Sequence, residues 1–547
     1  MSNNETTTVA RREDAAVLDS AHLGDIKGAL GTIRIDGSAP PTRLRTRLLT
    51  LLAIIGPGLI VMVGDNDAGA FATYTQAGQD YGTRLLWTLL LLVPVLYVNQ
   101  EMVLRLGAVT GVGHARLILE RFGRFWGAFS VIDLFLLNAL TIITEFIGIS
   151  LGLGFLGLPK PAGVLIAGGA VLAAGSTGSF RTFERVCLGL VAGSLVIIPI
   201  IFILHPPAGQ VAHDFVVPGM PHGAALSTVM LLTIAIVGTT VAPWQLFFQQ
   251  SYVIDKRITP RFIAYERVDL AIGIVVVIVG AATMMCFTAA AFAGQPGYGQ
   301  FTNAGGVANG LAHVGGQIAG VLFAVGLIDA SVIGAAAVSL ATSYAVADVL
   351  GIRHSLHRRP REAKGFYAVF AGLIAISALI VIIPGSPLGL LTEGVQTLAG
   401  VLLPSATVFL LLLCNDREVL GPWVNSRRLN LFTSAVVGAL VILSIVLTAS
   451  VLFPSLSSRE IAMILIAGAL VTAIVGLLVI LRSTPVGADA QPRDDRASWR
   501  MPPLALLHRP RLSTGRRTGL TVLRAYLLIA TILVVVRIAQ LALAGRH

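Results

Sequence analysis

Apolar runs long enough to cross a lipid bilayer recur from residue 47 almost to the end of this 547-residue chain. A spanning helix needs about 20 predominantly apolar residues. The runs fall at 47–75, 83–108, 126–154, 162–179, 186–204, 225–252, 268–293, 316–350, 366–383, 390–413, 430–453 and 460–481, with a last one at 519–544. The pattern predicts an all-α polytopic membrane protein of about twelve spans and a further terminal helix. Composition agrees, with 55% hydrophobic and only 12% charged residues and a mean hydropathy of +0.82. Soluble domains carry about 25% charged residues, so an ordinary soluble enzyme is excluded. The three cysteines, Cys187, Cys286 and Cys414, all lie in apolar runs, which excludes a disulfide framework.

The basic residues organise the chain. Residues 1–46 are polar and read as a disordered cytoplasmic tail with no cleavable signal. A membrane core follows over 47–482, then a basic cytoplasmic linker over 483–518, then residues 519–547 as a spanning or interfacial helix. Arg524 and Arg537 interrupt that last stretch, and each costs about 2.5–3.5 kcal/mol near a bilayer centre. With the N-terminus inside, Arg116, Arg121, Arg181, Arg185, Lys256, Arg257, Arg353 and Arg358 all fall in inner segments, while the loops 205–224 and 294–315 hold no Lys or Arg. This is the positive-inside pattern. The net charge of +11 is therefore topological, and without an aromatic stacking platform it predicts no nucleic-acid partner. The compact chain and absent signal suggest a multi-pass protein of a bacterial inner membrane. No GxSxG, HExxH or phosphate-loop motif supports an enzyme.

Two of the runs are interrupted at mid-depth. In the first, Gly64-Asp65-Asn66-Asp67-Ala68-Gly69 sets two carboxylates and two glycines where hydrocarbon is expected. In the sixth, Pro243 removes a backbone donor and clashes with the preceding turn. The breaks lie roughly 175 residues apart, as the first helices of two five-helix halves would, which points to an inverted repeat binding a substrate at the midplane. Carboxylates with unwound carbonyls are hard oxygen ligands, so a hard cation is the natural occupant. Intramembrane ionisable residues are functional candidates by default.

On these residues the chain resembles the natural resistance-associated macrophage protein (NRAMP) family of divalent-metal transporters over about 47–480. Gly56-Pro57-Gly58 followed by Asp67-Ala68-Gly69-Ala70 matches the family's GPG…DPGN. Gln100 with Arg105-Leu106-Gly107 and Thr110-Gly111 fits its second helix, and Glu145-Phe146-Ile147-Gly148 the EFxG of its third. Gln396 and Pro404 fit the Gln and Pro of the tenth. The resemblance implies a LeuT-like inverted 5+5 repeat with discontinuous helices 1 and 6.

It also implies the ligands. Asp67 keeps the family's carboxylate, but its Asn is Ala70, and Ala-x-x-Met-Pro-His becomes Thr239-Thr240-Val241-Ala242-Pro243-Trp244. The soft thioether and the His are gone, which removes a bias to softer transition metals and suits an ion that keeps its waters. This is similar to the NRAMP-related magnesium transporter branch. The family's proton route retains only Glu145, with Trp244 and Ile142 at two of its other places.

The expected metal-site residues are Asp67 and Asp65 through carboxylates, Thr239 and Ala242 through carbonyls, and Gln396, Glu393 and Asp329 in supporting positions. Trp244 is expected to pack or gate, and Gln249 and Gln250 to bridge helices. The leading expectation is an importer of Mg²⁺, then Mn²⁺, weakly or not coupled to protons and with no resident cofactor. The alternatives are a proton-coupled Mn²⁺/Fe²⁺ importer, a sodium-coupled organic-solute symporter on the same fold, and a non-transporting sensor.

Overall fold

The computed structural model describes residues 20–34, 43–221, 223–383, 395, 399, 402, 406–453, 456–482, 496–508, 517–529, 532 and 536. The elements in chain order are a hairpin, β1 (Ile26–Gly28) and β2 (Gly31–Ile33), then α1 (Leu44–Ile54), α2 (Pro57–Gly64), α3 (Ala68–Tyr81), α4 (Trp87–Thr110), α5 (His114–Phe122), α6 (Arg124–Phe155), α7 (Lys160–Gly175), α8 (Phe180–Gly193) and α9 (Ile198–Leu204). There follow α10 (Ala208–Val216), α11 (Leu226–Thr240), α12 (Pro243–Asp255), α13 (Ile263–Phe292), α14 (Ala304–Gly315), α15 (Gln317–Leu350), α16 (Lys364–Ile382), α17 (Arg417–Leu420), α18 (Arg427–Leu452) and α19 (Ser458–Arg482).

Among the described residues, eight helical stretches are long and apolar enough to cross a membrane, or nine if α1 and α2, bent by 47°, form one span. The apolar runs therefore become helices close to where the sequence sets them. The shortfall against twelve has local causes. Helix α7 is apolar but only 16 residues long, most of 390–413 lies outside the described residues, and α19, over the run 460–481, is not among the eight.

The first span is three helices rather than one. Gly56, at φ 151°, turns the chain between α1 and α2, and Asp65 to Asp67 separate α2 from α3. The sixth span breaks at Val241–Ala242, between α11 and α12. Discontinuities in the first and sixth spans are what the inverted 5+5 arrangement requires. Glycines let these helices close on their neighbours. A Cβ on Gly58 would stand 2.7 Å from the Leu270 backbone, and one on Gly148 would stand 2.4 Å from Ser331 Oγ. Small residues at such crossings permit the backbone approach that dispersion between membrane helices needs.

The tail departs from expectation. Residues 20–34, placed by composition in a disordered segment over 1–46, form an antiparallel hairpin pairing Ile26 with Ile33 and Gly28 with Gly31. Its carbonyls find guanidinium donors that a local reading of polarity does not register. Arg181 donates to the Gly28 and Gly31 carbonyls at 3.0 and 3.2 Å, Arg185 to Ala29 at 3.0 Å, and Arg257 to Ala21 and Asp25.

The linker is also partly ordered. The Met501 amide donates to the Val109 carbonyl at 3.3 Å, and Arg500 to Ala108 at 2.6 Å. The hairpin region is thus held by α8 and by the turn after α12, and the linker by the C-terminal end of α4.

Candidate cation site

The two broken spans face each other at their breaks. Helix α2 closes with the Asp65 and Asn66 amides donating to the Met62 and Val63 carbonyls. Asp67 then adopts extended backbone and caps α3, its Oδ1 accepting from the Ala70 amide at 2.9 Å. A side-chain acceptor here satisfies one of the donors a helix start leaves open. Glu145, on α6, accepts from the Ala68 amide at 3.1 Å. A Cβ at Gly334 of α15 would touch both the Glu145 carboxyl, at 2.8 Å, and the Asp67 Cβ, at 3.1 Å. Only glycine leaves that space open.

On the other side of the break, Pro243 has no N–H to return to the Thr239 carbonyl. The Gln245 side chain crosses the gap. Its Nε2 donates to Asp65 Oδ1 and lies 3.4 Å from the Thr240 carbonyl, while its Oε1 accepts from Gln100 Nε2 at 2.9 Å. Tyr74 and Thr240 hydroxyls, 2.6 Å apart, tie α3 to α11. A Cβ at Gly64 would be 3.6 Å from the Trp244 ring, so the indole packs against the end of α2.

Asp65 is wholly buried and Asp67 is 6% exposed. Four buried acceptors around the break, Asp65 Oδ2, Asn66 Oδ1, Glu145 Oε1 and Gln100 Oε1, have no hydrogen-bond partner among the described residues. Buried polar atoms are ordinarily paired, and orphans call for an explanation such as an ion or water. Among the described residues no three His, Cys, Asp or Glu side chains form a metal cage. A cation here would complete its shell with carbonyls, amides and retained water.

The expected site residues divide. Asp65 and Asp67 are brought together, and Thr239 comes near them, its hydroxyl 3.8 Å from a Cβ built on Gly69. The Ala242 carbonyl accepts from the Gln245 amide at 3.2 Å, so it is not wholly free for a cation. Asp329 stands apart. Its carboxylate approaches Gly193 of α8, because five residues along α15 from Gly334 turn it to a different face. Glu393 and Gln396 lie outside the described residues. Gln250 is a helix bridge, meeting the Val112 carbonyl at 2.7 Å and His114 Nδ1 at 3.0 Å. Sequence reasoning passed over Gln245, although an amide two residues past a mid-membrane proline is a signal.

Residues 58–450 match the family described as natural resistance-associated macrophage protein-like. The chain belongs to the NRAMP family. Similar relatives include the divalent metal cation transporter MntH of Ralstonia nicotianae, 30% identical over 404 residues, covering 71% of this chain and 87% of that one. The MntH of Burkholderia ambifaria is 29% identical over 401 residues, covering 69% and 84%. A manganese transporter of Eremococcus coleocola, seen in complex with an aromatic bis-isothiourea compound, shares the fold at a TM-score of 0.63 and 21% identity, over 84% of this chain and 98% of that one. NRAMP membership makes the chain a polytopic transporter rather than an enzyme.

Proposed function

We propose that this NRAMP protein imports divalent metal cations, Mg²⁺ ahead of Mn²⁺, with weak or no proton coupling, across a bacterial inner membrane with its N-terminus inside. The observation that carries the reading is the set of orphaned oxygen acceptors around Asp65 and Asp67, together with Ala242 at the position where a thioether would select softer ions. Oxygen donors without a thioether suit Mg²⁺, a hard cation that gives up its hydration reluctantly. Two charges entering down an inside-negative potential gain about 4.6 kcal/mol per 100 mV, which is enough to drive uptake without protons.

A second reading, proton-coupled Mn²⁺ import, is favoured by Glu145, which adjoins Asp67 at Gly334, and by the printed names of the relatives. The variant Ala242→Met separates the two. Restoring the thioether should raise Mn²⁺ uptake relative to Mg²⁺ at least about tenfold in reconstituted vesicles. An unchanged ratio would remove the argument from the missing sulfur.

A further inference from the structure

We propose that Gln245 sets the site's selectivity against Ca²⁺ by holding Asp65 to one-oxygen coordination. The proposal rests on the reading of the break as a divalent-cation site. A carboxylate only accepts, so the Gln245 amide nitrogen must face Asp65 Oδ1, and its oxygen then faces the Gln100 amide nitrogen. Gln100, on α4, fixes Gln245, on α12, and Gln245 fixes Asp65 at the end of α2. All three side chains are fully buried. The relay engages Asp65 Oδ1 and leaves Asp65 Oδ2 buried with no partner among the described residues. Asp67 is engaged in the same way, its Oδ1 accepting from the Ala70 amide.

Each carboxylate thus has one oxygen held by a protein donor. That geometry discriminates between hard cations. Ca²⁺ takes six to eight oxygens at about 2.3–2.6 Å and commonly uses both oxygens of a carboxylate, whereas Mg²⁺ takes six at about 2.0–2.1 Å and keeps several waters. A site that offers single carboxylate oxygens suits Mg²⁺, which fills the rest of its shell with water, and leaves Ca²⁺ short of ligands. Since Ala242 supplies no sulfur, discrimination against Ca²⁺ must come from oxygen geometry, and Gln245 is the residue that imposes it.

The test is calorimetric titration of the purified full-length protein with MgCl₂, MnCl₂ and CaCl₂, for wild type, Gln245→Leu and Gln100→Leu. Losing the donor frees both Asp65 oxygens, so in Gln245→Leu the Ca²⁺ affinity relative to Mg²⁺ should rise about tenfold or more. Gln100→Leu, which removes only the fixing partner, should shift the same ratio in the same direction by less, and it carries the test if Gln245→Leu does not fold. A ratio equal to wild type in a variant that still binds Mg²⁺ would overturn the proposal, and so would equal weakening of all three ions. If the wild type binds Mn²⁺ but not Mg²⁺, the preferred substrate above is wrong, and the Ca²⁺-to-Mn²⁺ ratio then decides the role of Gln245 by the same criterion.

Discussion

Lys256 Nζ stands 2.7 Å from Glu184 Oε1 with both side chains completely shielded. The same ammonium donates to the Ile54 and Ile55 carbonyls at 2.5 and 2.9 Å. It therefore caps the end of α1 at the bend of the first span. Asp269 does the converse on the other side of the bend, accepting from the Gly56, Gly58 and Leu59 amides at 3.1, 2.7 and 3.3 Å. A cation at a helix C-terminus and an anion at the next N-terminus each oppose the local dipole.

Removing the cation leaves Glu184 buried without its charged partner. Lys256→Met should therefore cost about 3–5 kcal/mol, seen as a lowered denaturation midpoint of the detergent-solubilised protein. Adding Glu184→Gln to that variant should recover part of the loss. Additive losses would mean that the two side chains do not act as a pair.

The hairpin depends on a close approach. A Cβ on Gly28 would lie 2.0 Å from the Ala53 carbonyl oxygen, so Gly28→Val should unseat it from α1. Amides of 26–33 should then exchange with deuterium at rates approaching those of free chain, while cation binding near Asp67 is unchanged. Undiminished protection of the hairpin would contradict this packing.

The spans and both breaks were legible because apolar run length, glycine, proline and intramembrane Asp are local signals. The hairpin was not, since its stability comes from Arg181, Arg185 and Arg257, which lie more than a hundred residues away in sequence. The same holds within the site. Asp67 could be found from its own surroundings, but the engagement of Asp65 by Gln245 is a contact across 180 positions. Asp329 was expected in a supporting position at the site because hydropathy reports burial and not direction. Its helical face, turned towards Gly193, is fixed only by packing.

His354, in the loop after α15, has acceptors at both ring nitrogens: the Ile352 carbonyl at 2.9 Å and Asp348 Oδ1 at 3.1 Å. Burial lowers its affinity for a proton, but the Asp348 carboxylate and the carbonyl outweigh burial and push its pKa from 6.5 up to about 9. A raised folded-state value means stability fully present below about pH 6.5 and lost as pH rises through 9, on the order of 3 kcal/mol. The thermal midpoint should fall between pH 6.5 and 9.5 in wild type and change less over that window in His354→Gln. Parallel curves would contradict the assignment.

Glu145 holds the Ala68 amide at the start of α3. Glu145→Gln keeps an acceptor for that amide and should fold with nearly wild-type stability. Glu145→Leu leaves a buried N–H unpaired and should cost about 1–3 kcal/mol. Comparing the two by thermal unfolding separates the structural part of the residue from any part it takes in ion movement.

The most direct test of the central claim is uptake of Mg²⁺ and of Mn²⁺ into proteoliposomes carrying a pH dye inside, for wild type and Asp67→Ala. The account predicts Mg²⁺ entry that follows an inside-negative potential, without internal acidification, and is abolished in Asp67→Ala. Mn²⁺ entry with acidification and no Mg²⁺ entry would contradict it.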